Sequence, residues 1–435
     1  MFKQNKNKTK ILTALAVFAS ISIFASSKIL AEETKKFGVD WGGWVRMDMY
    51  WDSRATIGAR ESTLMFLPSN EELNTLGHDT NAVPSFYWGP MSSRLNAKIT
   101  APDFLQAKVS GYVEAEFVGQ TDDQTNVLRM RHAYVDLDWG TSKLLIGQTW
   151  NPMFIPETIL LRVSANGAAP VGPLVRDPQI RFTQYLTKTF SVQATAYTER
   201  EMRSVGPGRP TGGSVKYQKD ALLPAFNLLF KYKSLDNKFI VGANGELQTI
   251  KPYNFIDNYK VDETLSTITA SCFLGYEFNR FSVHLNGYYG GNMANMTMPG
   301  GYAVTNYPTQ ANETIKYTPF NNLAVTADID YTVHKNLKVG VFCGINMNLG
   351  TTDEIDVTTR YDTYTAWNAH VDKLFRVSPR AIYQVGKFQI GAEVEYTQAA
   401  YGKVEEIDGN KWQGKWKETS DFSNLRFLVA TTLFF

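Results

Sequence analysis

Cysteine is scarce in this sequence, whose 435 residues include only Cys272 and Cys343. A chain of this length with two cysteines is not a disulfide-stabilised scaffold. The strands predicted below place the two thiols three strands apart, about 14 Å at the usual strand spacing, whereas a disulfide needs Cα atoms within about 7 Å of each other. We therefore predict two free thiols.

A helical membrane span is also missing. No segment after the apolar stretch near the amino terminus has the ~20 consecutive apolar residues that a spanning helix needs. The mean hydropathy of the sequence is −0.25. Aromatic residues are nevertheless abundant, with 22 Tyr, 26 Phe and 9 Trp, while long helical periodicity is absent. This combination is typical of a transmembrane β-barrel, in which every second strand residue faces water or a polar lumen.

The amino terminus has the pattern of an export signal. Four lysines precede the apolar stretch 11–24, which is too short to cross a bilayer as a helix. Cleavage after Ser27 or after Ala31 fits, and the charged stretch that starts at Glu32 favours Ala31. The alternative is an uncleaved membrane anchor, which the short apolar run disfavours.

A strong excess of one charge sign is lacking as well. Loss of residues 1–31 removes five lysines and leaves 39 Lys and Arg against 42 Asp and Glu, a net charge near −3. This balance argues against nucleic-acid binding. We predict two segments, a cleaved signal peptide over 1–31 and a single transmembrane barrel domain over 32–435.

Alternation of polar and apolar residues is what the sequence has in abundance. Phe281, Val283 and Leu285 share one face of a segment whose other face carries Ser282 and His284, as in a β-strand with two unlike surroundings. About sixteen such segments are predicted, an even number that antiparallel membrane barrels permit. Their approximate spans are 41–52, 92–101, 106–118, 127–139, 142–149, 179–187, 189–199, 225–233, 237–249, 265–278, 280–291, 320–333, 336–349, 368–385, 387–397 and 422–435.

The connections between these segments alternate between short turns and long loops. Short periplasmic turns and longer outer loops are typical of outer-membrane barrels, and this arrangement would place both termini on the periplasmic side. A soluble β-sandwich would also alternate its strand faces, but would not usually alternate its turn lengths along the whole chain. The predicted fold is therefore all-β, a transmembrane antiparallel barrel.

The last predicted strand is amphipathic and ends on an aromatic residue. Leu425, Phe427, Val429, Leu433 and Phe435 share one face. This resembles the carboxyl-terminal signature that the barrel assembly machinery recognises, although an ordinary buried edge strand would also be amphipathic. Together with the export signal, it predicts the outer membrane of a Gram-negative type of cell, with lipid bilayer and lipopolysaccharide as surroundings.

Inward-facing side chains are the functional surface if a barrel of this size holds an aqueous channel. Strands that closure brings together are predicted to form a pore-lining basic wall of Arg46, Arg94, Lys98, Lys108, Arg376, Arg380 and Arg426. Glu114 and Glu116 also point inward, and Glu393 and Glu395 interrupt the wall. The opposite side of the lumen is predicted to be acidic, with Glu246, Glu277, Asp328 and Asp330.

A basic wall inside a pore favours anions, and opposite charges across a narrow opening create a transverse field. The alternative is that lumen residues of both signs only solvate the channel and pair with each other. The sequence leaves both open.

The loop at 150–178 is unusually apolar for a connection exposed to water. It would bury its side chains by folding into the barrel and narrowing the pore, and a hydrophobic outer loop used in subunit contact is the alternative. Its candidate constriction charges are Glu157, Arg162, Arg176 and Asp177.

Arg129 and Arg131 break the alternation, because they share a face with Ala133 and Val135, which should point outward. Charges facing lipid at mid-membrane cost a few kcal/mol. Either the two arginines lie above the hydrocarbon zone or this wall faces another subunit, and both remain open.

Five segments of the first third of the barrel resemble the trimeric porins of the DcaP type: 43–48, 93–95, 114–117, 128–135 and 145–150. The likeness is strongest over residues 41–154. It implies a sixteen-stranded barrel with an inward-folded third loop, a homotrimer, and uptake of small anionic solutes such as dicarboxylates. The mature start, 32–40, has no room for the amino-terminal coiled-coil segment that some members carry, so the barrel walls would have to hold a trimer together.

Enzymatic motifs are not found. The five histidines, at 78, 132, 284, 334 and 370, lack metal-ligand spacing, and no Gly-x-Ser-x-Gly elbow or phosphate loop is present. We predict no catalytic residues, no metal and no cofactor. The leading hypothesis is a passive porin for small hydrophilic solutes with a moderate anion preference. The rival hypothesis is a structural or adhesive barrel whose surface loops serve envelope or host interaction.

Overall fold

The computed structural model describes residues 37–119, 121–160, 162–206, 213–256, 258–306, 314–356, 364–367, 370–402 and 411–435. The predicted signal peptide, 1–31, and residues 32–36 after it lie outside the described residues.

Sixteen antiparallel strands form one closed barrel, which confirms the predicted fold class. Each strand pairs with the next, and the last pairs with the first, from Trp44 opposite Phe434 to Asp52 opposite Arg426. The strands are β1 (Gly38–Asp52), β2 (Arg94–Phe104), β3 (Ala107–Glu116), β4 (Arg129–Asp138), β5 (Ser142–Trp150), β6 (Arg176–Tyr185), β7 (Phe190–Tyr197), β8 (Ala225–Lys233), β9 (Phe239–Ile250), β10 (Leu265–Phe278), β11 (Phe281–Gly291), β12 (Lys316–His334), β13 (Leu337–Thr351), β14 (Val371–Val385), β15 (Phe388–Gly402) and β16 (Thr419–Phe434).

The alternation seen in the sequence is the alternation of the two faces of the wall. Val45, Leu95 and Ile268 point outward and are 60%, 47% and 71% exposed. Polar side chains such as Thr269 and Asn244 take the inward positions and are buried there. This arrangement suits a barrel with lipid outside and polar groups inside. Cys272 and Cys343 are both free, as predicted.

Seven tight turns lie at one end of the barrel, which we call the turn end, and the long connections lie at the other, the loop end. One short helix, α1 (Lys216–Ala221), belongs to the long connection between β7 and β8. None of the described helices combines the length and the apolar composition of a membrane span.

Three segments from the loop end fold into the lumen. The first is a hairpin, Thr56–Pro68, made of the strands Thr56–Ala59 and Leu64–Pro68. The second is the third loop, residues 151–160 and 162–175, and the third is an inner segment, residues 292–299. The strand that follows the inner segment, Gly300–Asn306, pairs with β12 and with Tyr364–Trp367 and extends the wall at the loop end. Nearly all side chains of the inner segment are buried. The hydrophobic core of the protein therefore lies inside the barrel, between these segments and the wall.

The third loop contacts both of the other inserted segments. Its Ala168, Ala169 and Val171 share a buried cluster with Leu64 and Phe66 of the hairpin. At its other side, Met153 packs against three methionines of the inner segment, Met293, Met296 and Met298. The inward position of the third loop was predicted from its apolar composition, whereas the hairpin and the inner segment were not predicted.

Candidate functional site

Two glutamates on β15 hold the third loop against the wall. Glu393 accepts hydrogen bonds from the backbone N–H groups of Val163 and Ser164, at 2.8 and 2.9 Å. Glu395 accepts one from the side-chain amide of Asn166 at 3.1 Å. The residues that interrupt the predicted basic wall are thus the anchors of the loop, and the prediction of an inward-folded third loop is confirmed.

Glycines on the wall make room for the loop. A Cβ atom at Gly391 would stand 2.7 Å from a methyl carbon of Val163, and one at Gly344 would stand 2.5 Å from a methyl carbon of Val171. Both distances are below any ordinary carbon–carbon contact, so these positions accept the loop only because they lack a side chain.

Replacing Glu393 with glutamine is expected to loosen the third loop. A neutral amide oxygen is a weaker acceptor than a carboxylate, and hydrogen bonds to charged groups contribute about 1.5–3 kcal/mol each. We expect noisier and larger single-channel currents in planar bilayers, with the barrel still folded on a gel of unboiled protein. Gln389→Glu, on the same strand toward the turn end, is the matched control. Quiet, unchanged currents in the Glu393 variant would contradict the anchoring role.

A cavity of about 470 Å³ lies between the third loop, the hairpin and the wall of β1–β6. Among the described residues, its charged lining is six arginines and one glutamate: Arg46, Arg60, Arg94, Arg131, Arg162, Arg176 and Glu116. The aromatic lining includes Trp44, over which the Arg94 guanidinium lies at 4.5 Å, and Trp150, over which that of Arg176 lies at 4.5 Å.

Two carboxylates of β3 pair with the arginines of the neighbouring strands. Glu116 accepts from Arg94 Nε at 3.0 Å and pairs with Arg131 Nη1 at 2.7 Å. Glu114 accepts from Arg131 Nε at 2.6 Å and lies 3.6 Å from Arg94. These pairs fix the guanidinium groups of Arg94 and Arg131 in position at the cavity.

A β-bulge explains the position of Arg129 and Arg131. The register of β3 and β4 shifts between Glu114 and Ala115, so Glu114 is opposite His132 while Glu116 is opposite Arg129. The extra residue, Arg131, turns toward the lumen with Arg129, and both bind carboxylates there. Both explanations left open by the sequence, an outer position above the hydrocarbon zone and a subunit contact, are therefore wrong, because a bulge changes which residues face inward.

One carboxylate serves three arginines of different segments. Glu201, in the connection after β7, pairs with Arg60 of the hairpin at 3.1 Å, with Arg176 at 2.6 Å, and with Arg129. Burial by itself would raise the pKa of Glu201, but Arg176, Arg129 and Arg60 outweigh it and hold that pKa well below its usual range. Glu201 and Arg60 were not predicted as site residues, because neither belongs to a strand and no periodicity in the sequence distinguishes them.

The tip of the hairpin is strained. Arg60, Glu61 and Ser62 have φ angles of 64°, 54° and 57°, three consecutive left-handed residues without a glycine. The left-handed conformation costs about 1–2 kcal/mol for each such residue. The surroundings hold the tip in place through Tyr50, which donates to the Glu61 carbonyl, and Thr125, which donates to the Glu61 carboxylate. This left-handed conformation of the hairpin tip directs Arg60 toward the cavity, which it lines.

The predicted basic wall needs correction at three arginines that do not line this cavity. Arg376 is fully buried and donates to the carbonyls of Ala169 and Met65 at 2.6 and 3.0 Å. Arg426 is paired with Asp52 by two hydrogen bonds of 2.8 and 2.7 Å. Both arginines are used to hold inserted segments and the barrel seam, so they are structural rather than pore-lining.

Arg380, the third of them, corrects the predicted acidic side as well. It pairs with Asp328 at 2.7 Å and with Asp330, across the intervening strand β13. This reach is possible because Gly340 lies between them, where a Cβ would stand 2.0 Å from the Asp330 carboxylate. Asp328 and Asp330 are thus partners of the basic wall and do not oppose it.

The other two predicted acidic residues differ in their surroundings. Glu246 is only 3% exposed, so it does not line an open channel. Glu277 is exposed at the turn end of β10. The prediction of an opposing acidic wall is therefore wrong, because its four members lie in three different environments.

Lys98 and Lys108 are exposed positions nearer the turn end than the cavity, and neither lines it. Among the described residues, neither forms an ion pair within 4.0 Å. Of the predicted basic wall, Arg46 and Arg94 are the members that the structure places at the cavity.

Of the four predicted constriction residues, two line the cavity and two do not. Arg162 and Arg176 line the cavity, and Arg162 is held by Asp328 at 2.9 Å. Glu157 instead binds Lys231 at 2.6 Å. Asp177 is fully buried and accepts from Asn151 at 2.9 Å, so its assignment to the constriction is wrong.

Glu199, in the connection after β7, gives the protein a pH-dependent stability. Burial raises the pKa of this carboxyl from 4.5 to about 7, although Ser204 donates to it at 2.6 Å. Between pH 4.5 and about 7, the Glu199 carboxyl therefore stays protonated in the folded protein and is ionised in the unfolded chain. The resulting stabilisation is complete below pH 4.5 and is lost as the pH rises through about 7.

We expect the unfolding temperature to fall between pH 5 and pH 8, through a loss of roughly 3 kcal/mol. Glu199→Gln should weaken this dependence, as measured by the temperature at which the folded band disappears on gels run at each pH. Glu71→Gln, at an exposed position of the first long loop, should keep the dependence. An identical slope in the Glu199 variant would rule out this carboxyl as the source.

No group of three or more His, Cys, Asp or Glu within the described ranges is arranged to hold a metal ion. No family model and no curated protein matches the chain. Solved structures do match it. The outer-membrane channel DcaP of Acinetobacter baumannii aligns with a TM-score of 0.64 and 19% identity, over 93% of this chain and 100% of that one.

The barrel has the porin fold. An anion-selective porin from Comamonas acidovorans aligns with a TM-score of 0.53 and 10% identity, over 92% of this chain and 100% of that one. The outer-membrane protein OmpT of Vibrio cholerae, in its trimer form, aligns with a TM-score of 0.52 and 13% identity, over 92% and 100%. The resemblance to the DcaP type drawn from the sequence is confirmed for the porin fold.

Proposed function

We propose that the protein is an outer-membrane porin, a passive channel for small hydrophilic solutes with a preference for anions. The observation that carries this proposal is the cavity at the third loop, whose described charged lining is six arginines and one glutamate. A cluster of guanidinium groups held in fixed positions favours anions over cations. The solved channels with the same fold support the transport role.

The solute class that fits best is a small dianion with two carboxylates. A guanidinium group binds a carboxylate through two parallel hydrogen bonds, and arginines enter this cavity from the hairpin, the wall and the third loop. The guanidinium groups of Arg94 and Arg176 lie over the rings of Trp44 and Trp150, which holds them in position. Dicarboxylates would therefore find a partner for each end.

The membrane arrangement follows from the two ends of the barrel. We infer that the turn end and both termini are periplasmic and that the loop end is outside the cell, in lipid with lipopolysaccharide. A homotrimer is the expected assembly, supported by the trimer form of a structure with this fold. The barrel assembly machinery would recognise the last strand, whose Phe435 N–H donates to the Gly43 carbonyl on β1 at 3.1 Å.

Planar-bilayer recording tests the function. Purified protein should give ohmic current steps, and the reversal potential in a KCl gradient should show selectivity for chloride. Succinate should carry current or interrupt the chloride current. A silent barrel would favour the structural or adhesive role, and a cation-selective channel would refute the assignment of the cavity as an anion site.

A further inference from the structure

A second, smaller cavity lies on the lumen face of β5–β8, between the third loop and the turn end. Its volume is about 170 Å³, and its lining includes Lys143, Arg181 and Lys231 together with the polar side chains of Ser191 and Gln193. These residues come from four neighbouring strands, and each lies within a few positions of a tight turn. The cavity is therefore near the proposed periplasmic opening.

Arg181 differs from the arginines of the first cavity in its partners. Its Nε donates to the side-chain oxygen of Gln179 at 2.9 Å, and one Nη donates to the carbonyl of Trp150 at 2.8 Å. Both acceptors are neutral. No carboxylate of the described residues lies within 4.0 Å of its nitrogens, whereas each of the six arginines of the first cavity has one. Arg181 thus has N–H donors and a positive charge to offer to a ligand.

The two lysines of this cavity are paired, but their partners do not balance the total charge. Lys143 binds Asp136 at 2.8 Å and Lys231 binds Glu157 at 2.6 Å. Three cations therefore meet two carboxylates, a net charge of +1. The pairs are half-open to solvent, with 33% and 24% exposure of the two lysine side chains, so the lysines can turn toward an incoming anion at small cost.

Trp150 connects the two cavities. Its ring lines the first cavity, and its carbonyl binds Arg181 of the second. An anion that leaves the arginines of the first cavity toward the turn end therefore meets a second positive centre on the same side of the lumen.

We propose that Arg181, with Lys143 and Lys231, forms a second binding site on the periplasmic side for the carboxylate group of an anionic solute. The inference rests on the proposed function, because it takes the first cavity as the preceding anion site. A multi-site path of this kind lets an anion leave the tighter site, because the next site offsets part of its release. A phosphate group shares the relevant oxyanion chemistry and forms a separate arm of the test.

The test is block of the single-channel chloride current by succinate, and separately by inorganic phosphate, added on the side of the turn end. In wild-type protein, succinate should produce resolvable interruptions. Arg181→Gln should lower their frequency about fivefold, which corresponds to one unit charge at about 4 Å in water. Lys188→Gln is the matched control, because Lys188 is exposed in the tight turn between β6 and β7 and outside the cavity. It should change the frequency less than twofold.

Glu157→Gln should act in the opposite direction. It removes the carboxylate that occupies Lys231, and both side chains are partly exposed, so the barrel should fold normally. We expect more frequent succinate block. A purely structural role of Arg181 gives no reason for this increase.

The outcomes separate the two proposals. Equal effects of Arg181→Gln and Lys188→Gln, or no increase in Glu157→Gln, would overturn the second site while chloride selectivity in KCl still supports the porin. Absence of chloride selectivity in wild-type protein would overturn the first cavity as an anion site. Block by phosphate and not by succinate would overturn the assignment to carboxylates.

Discussion

Replacing Arg94 with glutamine should lower the chloride-to-potassium permeability ratio about fivefold, because one unit charge at about 4 Å in water contributes about 1 kcal/mol. Arg94 has the most exposed side chain, 23%, among the ion-paired arginines that line the first cavity. Its loss also removes an ion-pair partner of Glu114 and Glu116, so the negative charge of these carboxylates is less well neutralised and the local electrostatic potential becomes more negative. The measurement is the reversal potential in a tenfold KCl gradient.

Lys98→Gln provides the matched control for this result. Lys98 lies on the same strand and the same face as Arg94, four residues closer to the turn end and outside the cavity lining. It removes the same charge, and we expect less than a twofold change of the permeability ratio. Equal effects of the two substitutions would mean that selectivity arises from the field of the whole lumen and not from the first cavity.

Replacing Arg380 with glutamine should destabilise the barrel by about 3–5 kcal/mol, the usual cost of leaving a buried charge without its partner. The Arg380 side chain is 1% exposed, and it binds Asp328 at 2.7 Å as well as Asp330. The substitution replaces the guanidinium group that binds both carboxylates with a neutral amide. The expected observation is a lower temperature for conversion of the folded to the unfolded band on heated gel samples.

Two further variants identify the cause of that loss. Arg380→Gln combined with Asp330→Asn should recover part of the stability, because Asp330 loses its ion-pair partner in the single variant whereas Asp328 keeps Arg162. Gly340→Val should reproduce the loss with Arg380 intact, since a side chain there would occupy the space of the ion pair. An additive loss in the double variant would show that the pair contributes nothing to stability.

The barrel could be predicted from the sequence because its surroundings are periodic. Lipid on one side and a polar lumen on the other impose a period of two on every strand, and this was enough to place 225–233 and 265–278 at the bounds of β8 and β10. The last strand was equally regular. The inward third loop was predictable for a related reason, since its apolar composition conflicts with exposure to water.

The candidate site could be predicted only in part because its contacts are not periodic. Arg46, Arg94, Arg162 and Arg176 were identified, but the partner of Arg380 depends on a glycine on another strand. Arg131 depends on one extra residue in β4, which no alternation pattern reveals. Glu201 belongs to a loop, and its importance arises from three arginines that the fold brings to it. An ion pair between strands depends on which side chains the fold brings close together, and the spacing of residues along the sequence does not determine this.

The hairpin Thr56–Pro68 also determines the order in which the protein can be assembled. It directly follows the first strand, yet its carbonyl groups are satisfied from the last three. Arg426 donates to Ser62 at 2.9 Å, Tyr401 to Pro68 at 2.7 Å and Arg376 to Met65 at 3.0 Å, at separations of 364, 333 and 311 residues. Buried carbonyls without partners are costly, so the hairpin cannot settle in the lumen before β14, β15 and β16 are present. In a chain that ends before these strands, the hairpin would lack these donors and would not occupy the lumen. The opening is therefore narrowed only when the last strands are in place and the barrel closes.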